Sequence, residues 1–307
     1  MAMEISAHAI KPLQKTMFKK YYNLTKPKVV LLIVFTAIVG MLLAGIETVP
    51  VSQVVAAIVG IALASASGAA TNHWVDQKIV QIMDRTKNRP LPHGDLSPAK
   101  ALGFAIALAV ISMVILVTWV NNLTAALTFI SLMGYAVIYT VFLKRTTPQN
   151  IVLGGAAGAA PPLLGWAAIT NTISTEAVLL FLIIFIWTPP HFWALAIRRK
   201  DEYAKAGIPM LPVTHGVKYT KLLILLYTLM LFSVSLMPFV IKMSGLIYLV
   251  AAVVLGAGFV IFAWKLYTDE HNERAMKTFS YSIFYLSMIF LFLLADHYAR
   301  IMIKGYL

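Results

Sequence analysis

The feature that most constrains this chain is a series of long apolar segments along its 307 residues. A helix needs about 20 residues to cross about 30 Å of hydrocarbon, and nine segments are near that length. They cover roughly residues 29–47, 51–71, 99–120, 123–143, 150–170, 175–197, 221–241, 244–265 and 280–301. Backbone groups in lipid need partners within their own segment, so these runs predict helices rather than barrel strands. We predict an all-α polytopic membrane protein with nine transmembrane helices. It forms a single domain over 1–307 with a cytoplasmic N-terminal segment at 1–28.

The basic residues are distributed as expected for this topology. The net charge is +13, although only 12% of the residues are charged. With nine spans and a cytoplasmic N-terminus, the outer segments hold only Lys242, Arg300 and Lys304 of the 25 Lys and Arg residues. Cytoplasmic loops of membrane proteins carry such an excess of Lys and Arg. The charge therefore indicates a protein of the lipid bilayer with its C-terminus on the outer side, and it argues against nucleic-acid binding.

Two proline pairs interrupt the apolar pattern. Pro161-Pro162 lies in the fifth span among small residues, and Pro189-Pro190 lies in the sixth span just before His191. Proline removes a backbone donor and should kink or break a helix, whereas small residues let helices pack closely in lipid. Both tight packing alone and a cavity opened by two broken helices fit this pattern.

Two inner connections, 72–98 and 198–220, are longer and more polar than the outer loops. In the first, Asn72 and Asp76 are four residues apart and share one helix face. Arg85, Lys87 and Arg89 follow. Mg²⁺ binds through one or two carboxylates plus phosphate oxygens, and Arg provides forked donors to the remaining oxygens. The pattern therefore suits a diphosphate bridged by a divalent cation, although a plain helix end would also explain the Asn–Asp pair by itself.

The motif N-x-x-x-D followed by M-x-R-T-x-x-R-P resembles the first signature of the UbiA superfamily of intramembrane prenyltransferases. The stretch "RTKNRPLPHGDLSP" is similar to the corresponding stretch in the branch of that superfamily that makes heme O. The blocks at 139–168, 187–213 and 274–286 resemble the same branch, and together the similarity covers roughly residues 20–300.

The resemblance implies a UbiA-type bundle with a cavity open to the cytoplasmic side of a bacterial inner membrane. It implies transfer of a farnesyl group from farnesyl diphosphate to a vinyl group of heme B. Water addition then gives heme O, and pyrophosphate is released. Mg²⁺ is the implied cofactor, and heme A synthase or a terminal oxidase assembly is the implied protein partner.

The resemblance and the charge pattern together suggest roles for individual residues. An ionisable residue within a span is a functional candidate by default, and for His191 the resemblance implies a role as an iron ligand or as an acid/base. The catalytic candidates are Asn72, Asp76, Arg85, Arg89 and His191. The substrate-binding candidates are Lys87, Lys144, Arg145, Arg198, Tyr203 and Lys205. The metal ligands are Asn72, Asp76, Asp201 and Glu202, with Asp84 as a weaker candidate.

The sequence departs from the family pattern at one position. The pattern is N-x-x-x-D-x-x-x-D, and Val80 stands at its third position, where a side chain cannot bind a cation. Three alternatives fit this change: Asn72 and Asp76 suffice with the oxygens of the diphosphate, Asp84 substitutes for the missing ligand, or the enzyme is impaired. We favour a weakened metal site that keeps Asp76.

Two other functions compete with this interpretation. A UbiA-type enzyme could act on an aromatic quinone precursor, but the blocks at 139–168 and 187–213 argue against it. A transporter with broken helices could hold an anion, but the sequence has no convincing long repeat and its charges cluster at one edge.

Overall fold

The computed structural model describes residues 17–76 and 96–305, and all the secondary-structure elements in these ranges are helices. The helices are α1 (Met17–Leu24), α2 (Pro27–Leu43), α3 (Val51–Val75), α4 (Pro98–Trp119), α5 (Asn122–Thr146), α6 (Asn150–Ala159), α7 (Pro161–Thr170), α8 (Thr175–Arg198), α9 (Lys200–Lys205), α10 (Leu211–Thr214), α11 (Gly216–Val240), α12 (Leu246–Tyr267) and α13 (Ala275–Gly305). A short 3₁₀ turn at Ile46–Thr48 precedes α3.

The helices are long and apolar enough to make a polytopic membrane bundle. Within the described ranges, eight helical segments could each cross a membrane, with α6 and α7 counted together as one. A ninth span is formed if α1 and α2, which are bent by 49° relative to each other, are taken as one. The prediction of an all-α polytopic membrane protein is confirmed, and its first span corresponds to this bent pair.

Helix starts follow local sequence signals. Asn121 accepts a hydrogen bond from the backbone of Thr124 at 2.8 Å and caps α5. Ser97 and Ser174 cap α4 and α8 in the same way. A side-chain oxygen at this position satisfies one of the backbone donors that a helix start leaves free. The polar residues between the apolar runs therefore set where several spans begin.

Helix α8 lies at the centre of the bundle and packs against α6, α7, α11 and α13. Its side chains are buried around most of its circumference, as expected for a helix that is apolar on all faces. At the other side of the bundle, α2 and α7 approach closely. A Cβ atom on Gly165 would lie 1.9 Å from the carbonyl oxygen of Ala37, and one on Gly40 would lie 2.1 Å from that of Pro162. The small residues of the fifth span therefore serve tight packing.

The two proline pairs behave differently. The fifth span is interrupted at Ala160, before Pro161. Pro161 cannot donate to the carbonyl of Ala157, and the hydroxyl of Ser131 donates to that oxygen instead, at 3.2 Å. The prediction of a second break is wrong, because α8 runs without interruption through Pro189 and Pro190. The φ angle of proline is compatible with a helix, and packing against four other helices holds α8 together.

Candidate active site

The first predicted cluster lies at the end of α3. Asp76 directly follows the helix, and its backbone N–H donates to the carbonyl of Asn72 at 3.0 Å. The Asn72 side-chain amide also donates to Oδ2 of Asp76 at 2.9 Å. Asn72 is 6% exposed and Asp76 is 2% exposed. The two side chains share one face, and they are buried rather than displayed at a solvated helix end.

Two lysines from elsewhere in the chain contact this polar pair, and one of them neutralises Asp76. Nζ of Lys26 donates to Oδ1 of Asn72 at 2.5 Å, and Nζ of Lys144 forms an ion pair with Oδ2 of Asp76. Lys26 occupies the bend between α1 and α2 with a left-handed backbone, φ 50°. Sequence reasoning assigned Lys26 only a topological role, and nothing local in the sequence distinguishes it from the other N-terminal lysines.

Arg145 lies beside this pair. Its Nη2 donates to the carbonyl of Val75 at 3.3 Å, which closes the end of α3. The structure therefore brings Lys144 and Arg145 together with Asn72 and Asp76. The remaining predicted residues of the first cluster lie outside the described residues: Val80, Asp84, Arg85, Lys87 and Arg89.

The second half of α5 is a π-helix over Gly134–Leu143. The hydroxyl of Thr140 donates to the carbonyl of Tyr135, five residues earlier, at 2.7 Å. Tyr135 and Tyr139 stack with ring centroids 5.7 Å apart. π-Helical segments are rare and are often found at functional sites. The sequence predicts a helix here but does not predict this change of register.

Tyr139 lies between the two predicted clusters. Its phenol is buried, and Asp76 of the first cluster and Tyr203 of the second are both among the ionisable groups near it. Its ring lies against Gly154 of α6, where a Cβ atom would be 2.1 Å from Cδ2 of Tyr139. Glycine at this position is therefore what lets the ring lie between the two clusters. Sequence reasoning did not select Tyr139.

The second cluster surrounds a cavity of about 500 Å³. Nη1 of Arg199 lies 3.9 Å from Oε2 of Glu202, and the side chains of Asp201 and Glu202 are exposed. Tyr203 packs against the apolar cluster formed by the ends of α6 and α8. Lys205 is exposed at the end of α9 and is not among the lining residues. The cavity is lined by Leu195, Arg198, Arg199, Asp201, Glu202 and Met276.

Both clusters lie at the same end of the bundle. The side-chain amide of Asn150, at the start of α6, donates to the carbonyl of Lys144 at 3.4 Å. The next residue, Ile151, belongs to the same buried apolar cluster as Ile197, with Tyr203 packed against it. A series of contacts thus links the ion pair at Asp76 to the residues of α8 that line the cavity.

The first cluster fits a hard cation. Oδ1 of Asp76 is buried and has no hydrogen-bond partner in the described part of the chain. No group of three or more His, Asp or Glu side chains within residues 17–76 and 96–305 is arranged to hold a metal. Mg²⁺ commonly takes one or two carboxylates and completes its shell with water and phosphate oxygens. A cation at Asp76 would therefore need most of its ligands from a bound phosphate compound.

His191 occupies a separate, mostly aromatic pocket in the bundle. It is 9% exposed, and its ring stacks between Trp187 and Phe279 with centroid distances of 4.2 and 4.5 Å. Phe192 contacts it edge-on at 5.2 Å. Nδ1 of His191 lies 2.7 Å from Oγ of Ser282. Among the described residues, the contacts of His191 are with these aromatic rings and Ser282 and not with an acidic side chain.

Comparisons with known proteins agree with this architecture. Digeranylgeranylglyceryl phosphate synthase superposes with a TM-score of 0.80 at 18% identity, covering 91% of this chain and 98% of that one. A UbiA homologue from Archaeoglobus fulgidus bound to DMAPP and Mg²⁺ superposes with a TM-score of 0.64 at 15% identity, covering 89% and 99%. At these identities the similarity establishes a shared fold.

Sequence comparison is more specific. The profile of the UbiA prenyltransferase family matches residues 33–291. Protoheme IX farnesyltransferase from Thioalkalivibrio sulfidiphilus is 63% identical over 285 residues, covering 93% of this chain and 94% of the relative. The protein of the same name from Hahella chejuensis is 59% identical over 281 residues, covering 92% and 94%.

The fold and these matches define an α-helical membrane enzyme that transfers prenyl groups. The chain belongs to the UbiA prenyltransferase family. The predicted family and enzyme class are therefore confirmed.

Proposed function

We propose that this chain transfers the farnesyl group of farnesyl diphosphate to a vinyl group of heme B. The observation that carries this proposal is the high identity, 59–63%, to relatives named protoheme IX farnesyltransferase over more than nine-tenths of both chains. The described geometry supports it, because one end of an apolar bundle gathers cations and carboxylates suited to a diphosphate.

The first cluster binds the diphosphate in this proposal. A Mg²⁺ ion held by Asn72 and Asp76 would neutralise the diphosphate and make it a better leaving group. Lys144, which pairs with Asp76, and Arg145, which donates to the carbonyl of Val75, would donate hydrogen bonds to phosphate oxygens at this end, and Lys26 orients Asn72. Such fixed donors stabilise the charge that develops on the departing group. Arg85, Lys87 and Arg89, outside the described residues, add further donors.

The second cluster completes the site. Asp201 and Glu202, which line the cavity, would hold a second Mg²⁺ that neutralises the diphosphate, and Arg198 would donate to the phosphate oxygens beside them. Tyr203 and Lys205 contribute substrate contacts, with Tyr203 held against a buried apolar cluster. Val80 weakens the first metal site without removing it, because Asp76 remains.

The bond between C1 of the farnesyl chain and the diphosphate oxygen breaks, and a carbon–carbon bond forms between C1 and the terminal vinyl carbon of heme B. Water adds at the other vinyl carbon and releases a proton, so the products are heme O and pyrophosphate. The apolar bundle excludes bulk water from the allylic cation-like transition state. His191 contacts heme B within this enclosure.

We further propose a single domain in a bacterial inner membrane with a cytoplasmic N-terminus and an outer C-terminus. The support is the excess of Lys and Arg in alternate connections. The cavity then opens at the basic, cytoplasmic end. A protein that takes up heme O, such as heme A synthase or a terminal oxidase assembly, fits as a partner.

The experiment that tests this function uses the purified full chain with heme B, farnesyl diphosphate and Mg²⁺. We expect the extracted porphyrin to gain one farnesyl and one hydroxyl group by mass spectrometry, with pyrophosphate released. Asp76→Asn should abolish both signals, whereas the exposed control Glu273→Gln should retain them. Prenylation of a hydroxybenzoate with no change in heme B would indicate the quinone pathway instead. Movement of the diphosphate across vesicles without pyrophosphate release would indicate a transporter.

A further inference from the structure

We infer that Ser282 is a positioning residue that holds His191 in one tautomer and leaves Nε2 to bind the iron of heme B. Ser282 lies on α13 and is fully buried. His191 lies on α8, 91 residues earlier in the sequence. The inference rests on the proposed function, because it concerns how that function's porphyrin substrate is held.

The tautomer of His191 follows from the single hydrogen of the Ser282 hydroxyl. Oγ of Ser282 lies 2.6 Å from the carbonyl oxygen of Phe279, and two oxygens approach that closely only when a hydrogen lies between them. A serine hydroxyl has a single hydrogen, so that hydrogen is used for Phe279. The 2.7 Å contact between Ser282 Oγ and Nδ1 of His191 must then be donated by Nδ1–H. In neutral His191, Nε2 therefore carries the lone pair.

The ring is also fixed against rotation. Trp187 and Phe279 stack on its two faces with interplanar angles of 19° and 24°. Nε1 of Trp187 donates to the backbone carbonyl of Ser282 at 2.7 Å, so both the side chain and the backbone of Ser282 are tied to this turn of α8. Turning the imidazole to present Nδ1 instead would break the hydrogen bond and both ring contacts.

Nε2 is the nitrogen left for a ligand. Within the described part of the chain it makes no hydrogen bond. Leu195 and Arg198 follow His191 at the i+4 and i+7 positions of α8, which share its helix face, and both line the cavity. On α13, Met276 lines the cavity one turn before Phe279. His191 and Phe279 therefore lie one to two helical turns from the residues that line the charged cavity, on the same faces of α8 and α13.

In a metal-binding histidine, the ring nitrogen that does not bind the metal usually donates a hydrogen bond to a nearby group. This hydrogen bond orients the ring and raises the basicity of the ligating nitrogen, and its loss costs about 10–100-fold in metal affinity or activity. Without Oγ, Nδ1 of His191 would be buried without a partner, and the Nε2-protonated tautomer, which cannot bind iron, would gain population.

The test measures iron binding to the purified full chain without farnesyl diphosphate. Ferrous heme B is titrated into the wild type, Ser282→Ala, His191→Ala and Ser287→Ala. Ser287 is the matched control, because it lies on the same helix and bonds only to the carbonyl of Ile283. We expect Ser282→Ala to weaken heme binding at least tenfold and to shift or abolish the iron–histidine band in the resonance Raman spectrum. Ser287→Ala should match the wild type. An unchanged affinity and band in Ser282→Ala would overturn the inference.

A second measurement needs no folded Ser282 variant. The ¹⁵N shifts of histidine-labelled wild-type protein report which ring nitrogen carries hydrogen, and His191→Ala identifies the relevant signals. Nδ1–H is expected, and Nε2–H in the ligand-free protein would overturn the inference. His191→Ala that binds heme B with the wild-type spectrum would also overturn the inference, whereas the proposed function fails on a different result: the wild type would make no heme O.

Discussion

Nζ of Lys144 at the end of α5 forms an ion pair with Oδ2 of Asp76 at the end of α3. The two side chains are only 16% and 4% exposed, so the pair is largely withdrawn from water. Such a pair is expensive to bury, and its main consequence is that neither charge tolerates loss of the other. It links two spans at the end of the bundle where the proposed diphosphate site lies.

The first prediction concerns the stability of this pair. Lys144→Met should lower the free energy of unfolding by ~3 kcal/mol, because it leaves the Asp76 carboxylate buried without its cation. The double variant Lys144→Met/Asp76→Asn should recover most of that stability, since neither charge remains. Thermal unfolding in detergent measures both. A double variant as unstable as the sum of the two single variants would contradict this coupling, and pyrophosphate release should be lost in all three.

The second prediction concerns Tyr139. Gly154→Ala should displace the Tyr139 ring, because the new Cβ would lie 2.1 Å from Cδ2, and we expect kcat to fall about tenfold for a misplaced active-site group. Gly158→Ala is the control on the same helix, since nothing lies within 4 Å of its Cβ position. That variant should keep its activity and gain ~0.5–1 kcal/mol of stability from helix propensity. Equal kcat values for Gly154→Ala and Gly158→Ala would show that the position of Tyr139 does not affect catalysis.

The third prediction concerns whether Arg198 binds the diphosphate or a heme propionate. Because Arg198 shares the cavity with Asp201 and Glu202, we expect it to contact the metal-bound diphosphate rather than a heme propionate. Arg198→Gln should raise the KM for farnesyl diphosphate about tenfold, as expected for one charge-assisted hydrogen bond. Lys265→Gln, an exposed change, should have little effect. The prediction is contradicted if Arg198→Gln instead raises the KM for heme B but leaves the KM for the dimethyl ester of heme B at the wild-type value. That result would show that Arg198 binds a heme propionate.

The fourth prediction concerns Val80, outside the described residues. Val80→Asp restores a carboxylate at the third position of the family pattern and should lower the Mg²⁺ concentration needed for half-maximal activity. The physical reason is that affinity for a hard cation rises with the number of carboxylate ligands. Val80→Asn serves as a control for polarity without charge. An unchanged Mg²⁺ requirement would show that Val80 does not face the metal.

Several features were predictable from the sequence because they depend on local composition. The all-α class follows from the length of the apolar runs, and so does the count of eight spans in the described residues, or nine if the bent pair α1–α2 is one span. The proximity of Asn72 and Asp76 follows from helical spacing alone. The break at Pro189-Pro190 was predicted wrongly, because a missing donor is a local signal whereas the packing that keeps α8 continuous is not.

The sequence by itself determined that this is a polytopic membrane protein with most of its basic residues in alternate connections, because hydropathy and charge act segment by segment. Only the tertiary structure decided which side chains meet. Lys26 is 46 residues from Asn72, Lys144 is 68 from Asp76, and Ser282 is 91 from His191. Such pairs depend on how each helix is rotated and on a π-helical change of register in α5. That rotation is fixed by close packing between helices, which no single segment encodes.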